Sequence, residues 1–332
     1  MKRFILTAVV FVAALPFATA DDRKVLETQP HRQYSEALQI GKLTNPELRE
    51  VSGMTASRRR PDILWVANDS GNGPRLYAIG LDGETYGVFH VKGVRNRDWE
   101  DLASFSIGGN AYLMIADVGD NRAKRQESDL YIVKEPILPR KQAPSRTELP
   151  LLRRIRFVYE DGPRDCEAVA VDLSLDRILL LSKRDPLPRL YALPLWPKDE
   201  ISKLTARFLV EISNIPIPSE EDLLEDPIFG RFRSQPTAMD IDSPGQIAVI
   251  LTYNHAYLYE RAPSERWETA FSRSPLMLKL PKLKQAEALC LGHEGQTIFV
   301  TSERRPPSEA LPAPLLLIHR INDRIINPSK TE

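Results

Sequence analysis

Five times along the chain, an acidic or hydroxyl residue stands at the head of a short apolar segment. This recurrence limits the fold more than any other feature. The segments are EVSGM (50–54), WEDLASF (99–105), DCEAVAVD (165–172), QPTAMDI (235–241) and QAEALCL (285–291). Their central positions are Ser52, Glu100, Glu167, Thr237 and Glu287, spaced by 48, 67, 70 and 50 residues. A carboxylate at the start of a buried strand is costly by itself. One such segment is noise, but five at this spacing form a repeat. A period of roughly 40 to 50 residues plus insertions is that of a propeller blade.

Each segment has the same sequel. A second apolar run ends in polar residues: ILWVANDSG (63–71), YLMIADVGDN (112–121), RILLLSKRD (177–185), QIAVILTYN (246–254) and TIFVTSERR (297–305). A third run is aromatic or leucine-rich: RLYAI (75–79), LYIVKEP (130–136), RLYALPL (189–195), AYLYER (256–261) and LLLIHRI (315–321). β-Branched and aromatic residues bounded by Gly, Pro, Asn and Asp are strand-and-turn chemistry. A fourth run follows in four units, at 87–94, 152–160, 206–212 and 275–281, whereas the fifth unit runs out of chain. The missing strand is available in SEALQIGKL (35–43). An N-terminal strand that completes the last blade closes the ring and removes open sheet edges. The expectation is an all-β, five-bladed β-propeller with four-stranded blades. The displaced strand favours it over a β-sandwich or two small barrels. Residues 219–233 read as a charged insertion with a helical turn or two, and 137–150 as a Pro-rich connection within the second blade.

The ends complete the organisation. Lys2 and Arg3, an apolar run from Phe4 to Phe17, and Ala18-Thr19-Ala20 read as a secretory signal peptide over 1–20, cleaved near Ala20. A leader (21–34), the propeller domain (35–323) and a tail (324–332) follow. The expected product is a soluble monomer, exported to a periplasm or beyond, with no membrane insertion. The formal net charge of zero argues against bulk attraction to nucleic acid or an anionic membrane. Cys166 and Cys290 are the two cysteines. They can pair in an oxidising compartment, but their placement on non-neighbouring units favours two buried thiols.

The first strand of each blade lines the central tunnel, so Ser52, Glu100, Glu167, Thr237 and Glu287 are expected to form a ring. Three carboxylates converging in a narrow tunnel raise one another's pKa, and a hard divalent cation resolves the conflict. Ca2+ takes 6–8 oxygen ligands. The histidines are scattered and the cysteines lack CxxC spacing, so no soft ligand set competes. Calcium is the expected ion, with Mg2+ second.

The order Ser, Glu, Glu, Thr, Glu resembles the central calcium ring of the soluble calcium-activated nucleotidases, five-bladed propellers that hydrolyse nucleoside di- and triphosphates. Their ring has serine in the first and fourth blades, so Thr237 is a departure. ANDSGNGPRLYAI (67–79) is similar to that family's turn into a Tyr-containing strand. More distantly, the acidic motifs resemble those of phytase-like and esterase-like bacterial propellers.

The second-strand ends should open on the same face as the ring. If the site is catalytic, Lys183, Arg184 and Arg304 are candidates to hold phosphate oxygens. Asp69 or Asp117 is then the candidate to orient or deprotonate water activated by the metal. NDSGNG and IADVGDNRAKR are equally good turns. The chain has no GxSxG motif and no P-loop. Two functions are carried forward. One is a binding or interaction propeller with calcium in its tunnel, serving a small phosphorylated ligand or a protein or glycan partner. The other is a metal-dependent phosphohydrolase.

Overall fold

The computed structural model describes residues 33–138, 145–198, 203–292, 295–304 and 312–321. The expected signal peptide and the tail at 324–332 lie outside the described residues. Strands β1 (Gln33–Tyr34) and β2 (Leu38–Lys42) come first. They are followed by β3 (Val51–Ala56), β4 (Ile63–Asn68), β5 (Arg75–Gly80) and β6 (Thr85–Val91). Next are β7 (Trp99–Ile107), β8 (Asn110–Asp117), β9 (Ser128–Lys134), β10 (Ser145–Leu149) and β11 (Arg153–Tyr159). The third group is β12 (Cys166–Asp172), β13 (Arg177–Ser182), β14 (Arg189–Pro194) and β15 (Leu204–Glu211). The rest are β16 (Pro236–Ile241), β17 (Ile247–Thr252), β18 (His255–Glu260) and β19 (Leu276–Lys279), then β20 (Ala286–Leu291), β21 (Thr297–Ser302) and β22 (Pro314–Ile321).

Among the described residues these strands pair as five antiparallel meanders: β3–β6, β7–β9 with β11, β12–β15, β16–β19, and β20–β22 with β2. The last meander takes its fourth strand from the N-terminal side, with Leu38 opposite Leu317. Alternate side chains of a strand point to opposite faces of its sheet, and both faces are apolar here. In β4, Ile63, Trp65 and Ala67 pack against Trp99, Leu113 and Ile115 of the second meander. Leu64 and Val66 of the same strand pack against Ala288, Cys290 and Phe299 of the fifth. Similar cores join the second meander to the third, the third to the fourth and the fourth to the fifth. The circle of sheet-on-sheet packing is closed, and the fold is a β-propeller.

Two segments depart from the expectation. Ser145–Leu149, expected as a connection within the second blade, pairs in parallel with β6 as an extra outer strand of the first. Gln33–Tyr34, expected in the leader, extends the last sheet by pairing with β22. The outer edges of the second and third blades also join in parallel, with Phe157 opposite Leu204. Each contact covers an edge that would otherwise expose unpaired backbone groups.

The insertion at 219–233 forms a short helix, α1 (Glu220–Glu225), started by a capping box between Ser219 and Asp222. Asp222 accepts a hydrogen bond from Asn254 at the end of β17, 3.3 Å away. A second short helix, α2 (Trp267–Ala270), buries Trp267. No helix among the described residues is long and apolar enough to cross a membrane. Cys166 and Cys290 are buried free thiols in the third and fifth blades.

Polar side chains link the blades to one another. Asp101 accepts N–H bonds from Val169 (2.8 Å) and Met239 (3.3 Å), and so ties the second blade to the third and fourth. Asp240 accepts from Leu291 of the fifth blade at 2.9 Å. Further along, Arg58 of the first blade donates to the Ser104 carbonyl (2.9 and 3.0 Å) and to Ser243 Oγ (2.7 Å).

A candidate cation site at the tunnel mouth

A β-bulge opens the first strand of every blade. The register between first and second strands jumps from Val51 to Gly53, Trp99 to Asp101, Cys166 to Ala168, Pro236 to Ala238 and Ala286 to Ala288. The skipped residues are Ser52, Glu100, Glu167, Thr237 and Glu287. A bulge leaves one residue outside the ladder and re-aims its side chain. This is how a polar residue can head a strand whose remainder is core. The two hydroxyls act as latches between blades. Ser52 Oγ donates to the Trp99 carbonyl and Thr237 Oγ1 to the Ala286 carbonyl, each at 2.7 Å. In both cases the acceptor lies just before the next blade's own bulge.

Two further tiers repeat around the mouth. The residues just past the second strands are Asp69, Val118, Lys183, Tyr253 and Glu303. The residues two places before the bulges are Glu50, Asp98, Asp165, Gln235 and Gln285. The same backbone bond joins the tiers, from Asp69 N–H to Glu50 O (2.7 Å), Lys183 to Asp165 (3.0 Å) and Glu303 to Gln285 (2.9 Å).

The ring divides into two unlike halves. On one side Lys183 is buried with its Nζ on Glu167 Oε2, and it donates to Tyr253 OH at 2.8 Å. Tyr253 in turn donates to Glu287 Oε1 at 2.9 Å, and Gln285 Nε2 reaches the same oxygen at 3.1 Å. Asp165 is held by Arg184 Nε (2.5 Å) and by the Asp120 N–H (2.8 Å). Every carboxylate on this side has a partner.

On the other side, carboxylate oxygens of Asp69, Asp98 and Glu100 lie within 4.8 Å of one another. Asn96 brings them together, its Nδ2 donating to the Asn68 and Asp69 carbonyls and its Oδ1 accepting the Trp99 N–H. Glu100 is 5 % exposed, and its carboxylate accepts no hydrogen bond among the described residues. Gly119 makes room for the group, because a Cβ there would lie 2.1 Å from Glu100 Oε1 and 2.6 Å from Asp98 Oδ2. Burial, with the charges of Glu167 and Asp69, pushes the Glu100 carboxyl well above the usual range. Burial and the Asp69 charge push Asp98 up to about 6. Burial likewise raises Asp69, aided by Glu287 and Glu50. The charges of Lys183 on Glu100 and of Arg125 on Asp98 pull the other way, but neither cation forms an ion pair with the three acids among the described residues, and such a cluster is what a metal ion relieves.

The other sequence candidates scatter. Asp117 is fully buried against Arg125 Nη2 at 2.9 Å and accepts the Arg97 N–H, so it holds the loops of its own blade. Arg184 sits on the rim, bonded to Asp165 and Asn121. Arg304 is half-buried, its N–H donating to the Arg49 carbonyl at 2.7 Å. No hydrogen bond or ion pair joins Arg304 to Lys183 or Arg184 among the described residues. Sequence reasoning missed Asp98 and Gly119. The signal for Asp98 is the shared D-x-E of DWE (98–100) and DCE (165–167).

No family model and no curated protein matches the chain. Among solved structures, a nidogen/laminin complex aligns at 11 % identity and a TM-score of 0.40, over 77 % of this chain and 73 % of that one. The gluconolactonase of Xanthomonas campestris aligns at 9 % identity and 0.43, over 82 % and 72 %. The RRP9 WD40 repeats align at 10 % identity and 0.41, over 82 % and 80 %.

Proposed function

We propose that this protein is an exported binding propeller that holds one calcium ion off the tunnel axis, at Asp69, Asp98 and Glu100. The ion is offered to oxygen ligands of a small phosphorylated molecule or of a protein or glycan partner. The observation that carries this reading is the Glu100 carboxylate, buried and without a hydrogen-bond donor beside two further acids. The donor set is all hard oxygen, which suits Ca2+ or Mg2+ rather than zinc. Three carboxylates supply three to six oxygens of the roughly 6–8 that calcium takes, so water or a ligand completes the shell. Calcium is preferred over Mg2+ because the flexible mix of one glutamate and two aspartates imposes no octahedral geometry.

One observation favours the hydrolytic alternative. The Arg184 side chain is 39 % exposed on the same rim, a placement suited to a phosphate oxygen. The test is calorimetric titration of calcium into chelator-stripped protein, beside phosphate release from a panel of esters and anhydrides. The binding reading expects a one-to-one isotherm, lost in Glu100→Gln, without phosphate release. Calcium-dependent release lost in Glu100→Gln would transfer the assignment to a phosphohydrolase. A flat isotherm for the wild type would remove the ion from both readings.

A further inference from the structure

The Glu167–Glu287 half of the ring already holds a cation that belongs to the chain. We propose that Lys183 is the tethered cation that pins the third, fourth and fifth blades together at the mouth. Its ammonium lies on Glu167 and is linked through Tyr253 to Glu287, two of the three ring carboxylates. The divalent ion is thereby displaced to the first-second blade junction and left free of structural duty. The last step rests on the calcium reading above, whereas the pin itself does not.

The geometry is specific. Nζ contacts Glu167 on its own blade and donates to Tyr253 OH of the fourth, which donates to Glu287 of the fifth. One ammonium and one phenol thus bind two ring carboxylates into a chain across three blades. The side chain is 4 % exposed, and its backbone N–H is fixed to the Asp165 carbonyl at 3.0 Å. A metal cannot share the position without driving the ammonium out. The equivalents of Lys183 in the other blades are Asp69, Val118, Tyr253 and Glu303, so among them only the third blade supplies a positive charge. The first-second junction differs in the same respect. Asp98 and Glu100 match Asp165 and Glu167 position for position. Asp165 and Glu167 are paired with Arg184 and Lys183, whereas Glu100 feels the Lys183 charge but forms no ion pair among the described residues.

Removing one member of a buried ion pair leaves the other charge uncompensated, which is far more damaging than removing both. Lys183→Met should therefore uncover a second cation position at Glu167 and Glu287. The experiment counts terbium ions per chain by luminescence titration and records melting curves in calcium and in chelator. Wild type should take one ion and keep its fold in chelator. K183M should take one ion more than wild type, melt well below it in chelator, and recover in calcium. The double variant Lys183→Met with Glu167→Gln should regain much of the chelator-state stability and return to the wild-type ion count. An unchanged ion count in K183M would overturn the proposal. So would a double variant no more stable in chelator than K183M, or a wild type that unfolds on chelation. An extra ion in K183M with none in wild type would leave the pin standing and refute the Asp69–Asp98–Glu100 site alone.

Discussion

Gly119→Ala separates the cation site from the fold. The new Cβ would meet Glu100 Oε1 at 2.1 Å and Asp98 Oδ2 at 2.6 Å, both far inside contact distance. Both atoms are the ends of side chains, so the clash is relieved by turning the carboxylates away rather than by moving a strand. Overpacking of a rigid interior costs about 1 to 3 kcal/mol, and the movable carboxylates hold the cost near the lower end. The site fares worse, because both displaced groups are ligands. Changes that disturb the orientation of metal ligands typically cost about 10- to 100-fold in affinity, or about 1.4 to 2.7 kcal/mol. The assay is calcium calorimetry beside a melting curve in chelator. The expected result is a melting temperature within a few degrees of wild type and an affinity at least tenfold weaker. Wild-type affinity in a folded G119A protein would mean that the alanine is accommodated without moving the ligands, against this expectation.

Three further predictions concern the acid cluster and Asp101. Asp98 is pushed up to about 6 and Glu100 is raised well above its usual range, so protons compete with the ion; calcium affinity should fall as pH drops from 7.5 to 5.5, measured by titration at each pH. Without metal the sign for stability is reversed. An acid whose pKa rises from 3.8 to about 6 on folding binds more protons folded than unfolded, so the contribution of Asp98 declines as pH climbs through that window and calcium offsets the loss. Melting curves in chelator that show no decline attributable to Asp98, judged against Asp98→Asn, would contradict this. Asp101→Ala orphans the buried amides of Leu102, Val169 and Met239 and should cost about 3 to 9 kcal/mol, at about 1 to 3 for each donor. Asp101→Asn keeps an acceptor there and should cost much less, which denaturant unfolding of the two variants can compare.

The repeat was legible because a carboxylate ahead of buried strand residues conflicts with burial, and the conflict recurs five times. The positions 52, 100, 167, 237 and 287 mark it directly. That each is a bulge was not legible, since a period-two pattern does not reveal a residue skipped by the ladder. The division of the ring was hidden for a related reason. Lys183 follows a strand end rich in charge, and only the folded chain turns its side chain inward to Glu167 rather than outward to solvent. Asp98 was readable in the D-x-E shared with Asp165. Gly119 was not, because its need for a hydrogen at Cα comes from residues about twenty positions away in the sequence. The parallel strand at Ser145–Leu149 escaped because SRTEL has no apolar alternation and pairs with a blade it does not follow.

An anomalous difference map from crystals grown with terbium or calcium locates the ion. One peak per chain is expected, about 2.3 to 2.6 Å from carboxylate oxygens of Asp69, Asp98 and Glu100, with Lys183 still on Glu167. A peak on the axis between Glu100, Glu167 and Glu287, or no peak at a concentration that saturates the calorimetric titration, would contradict it.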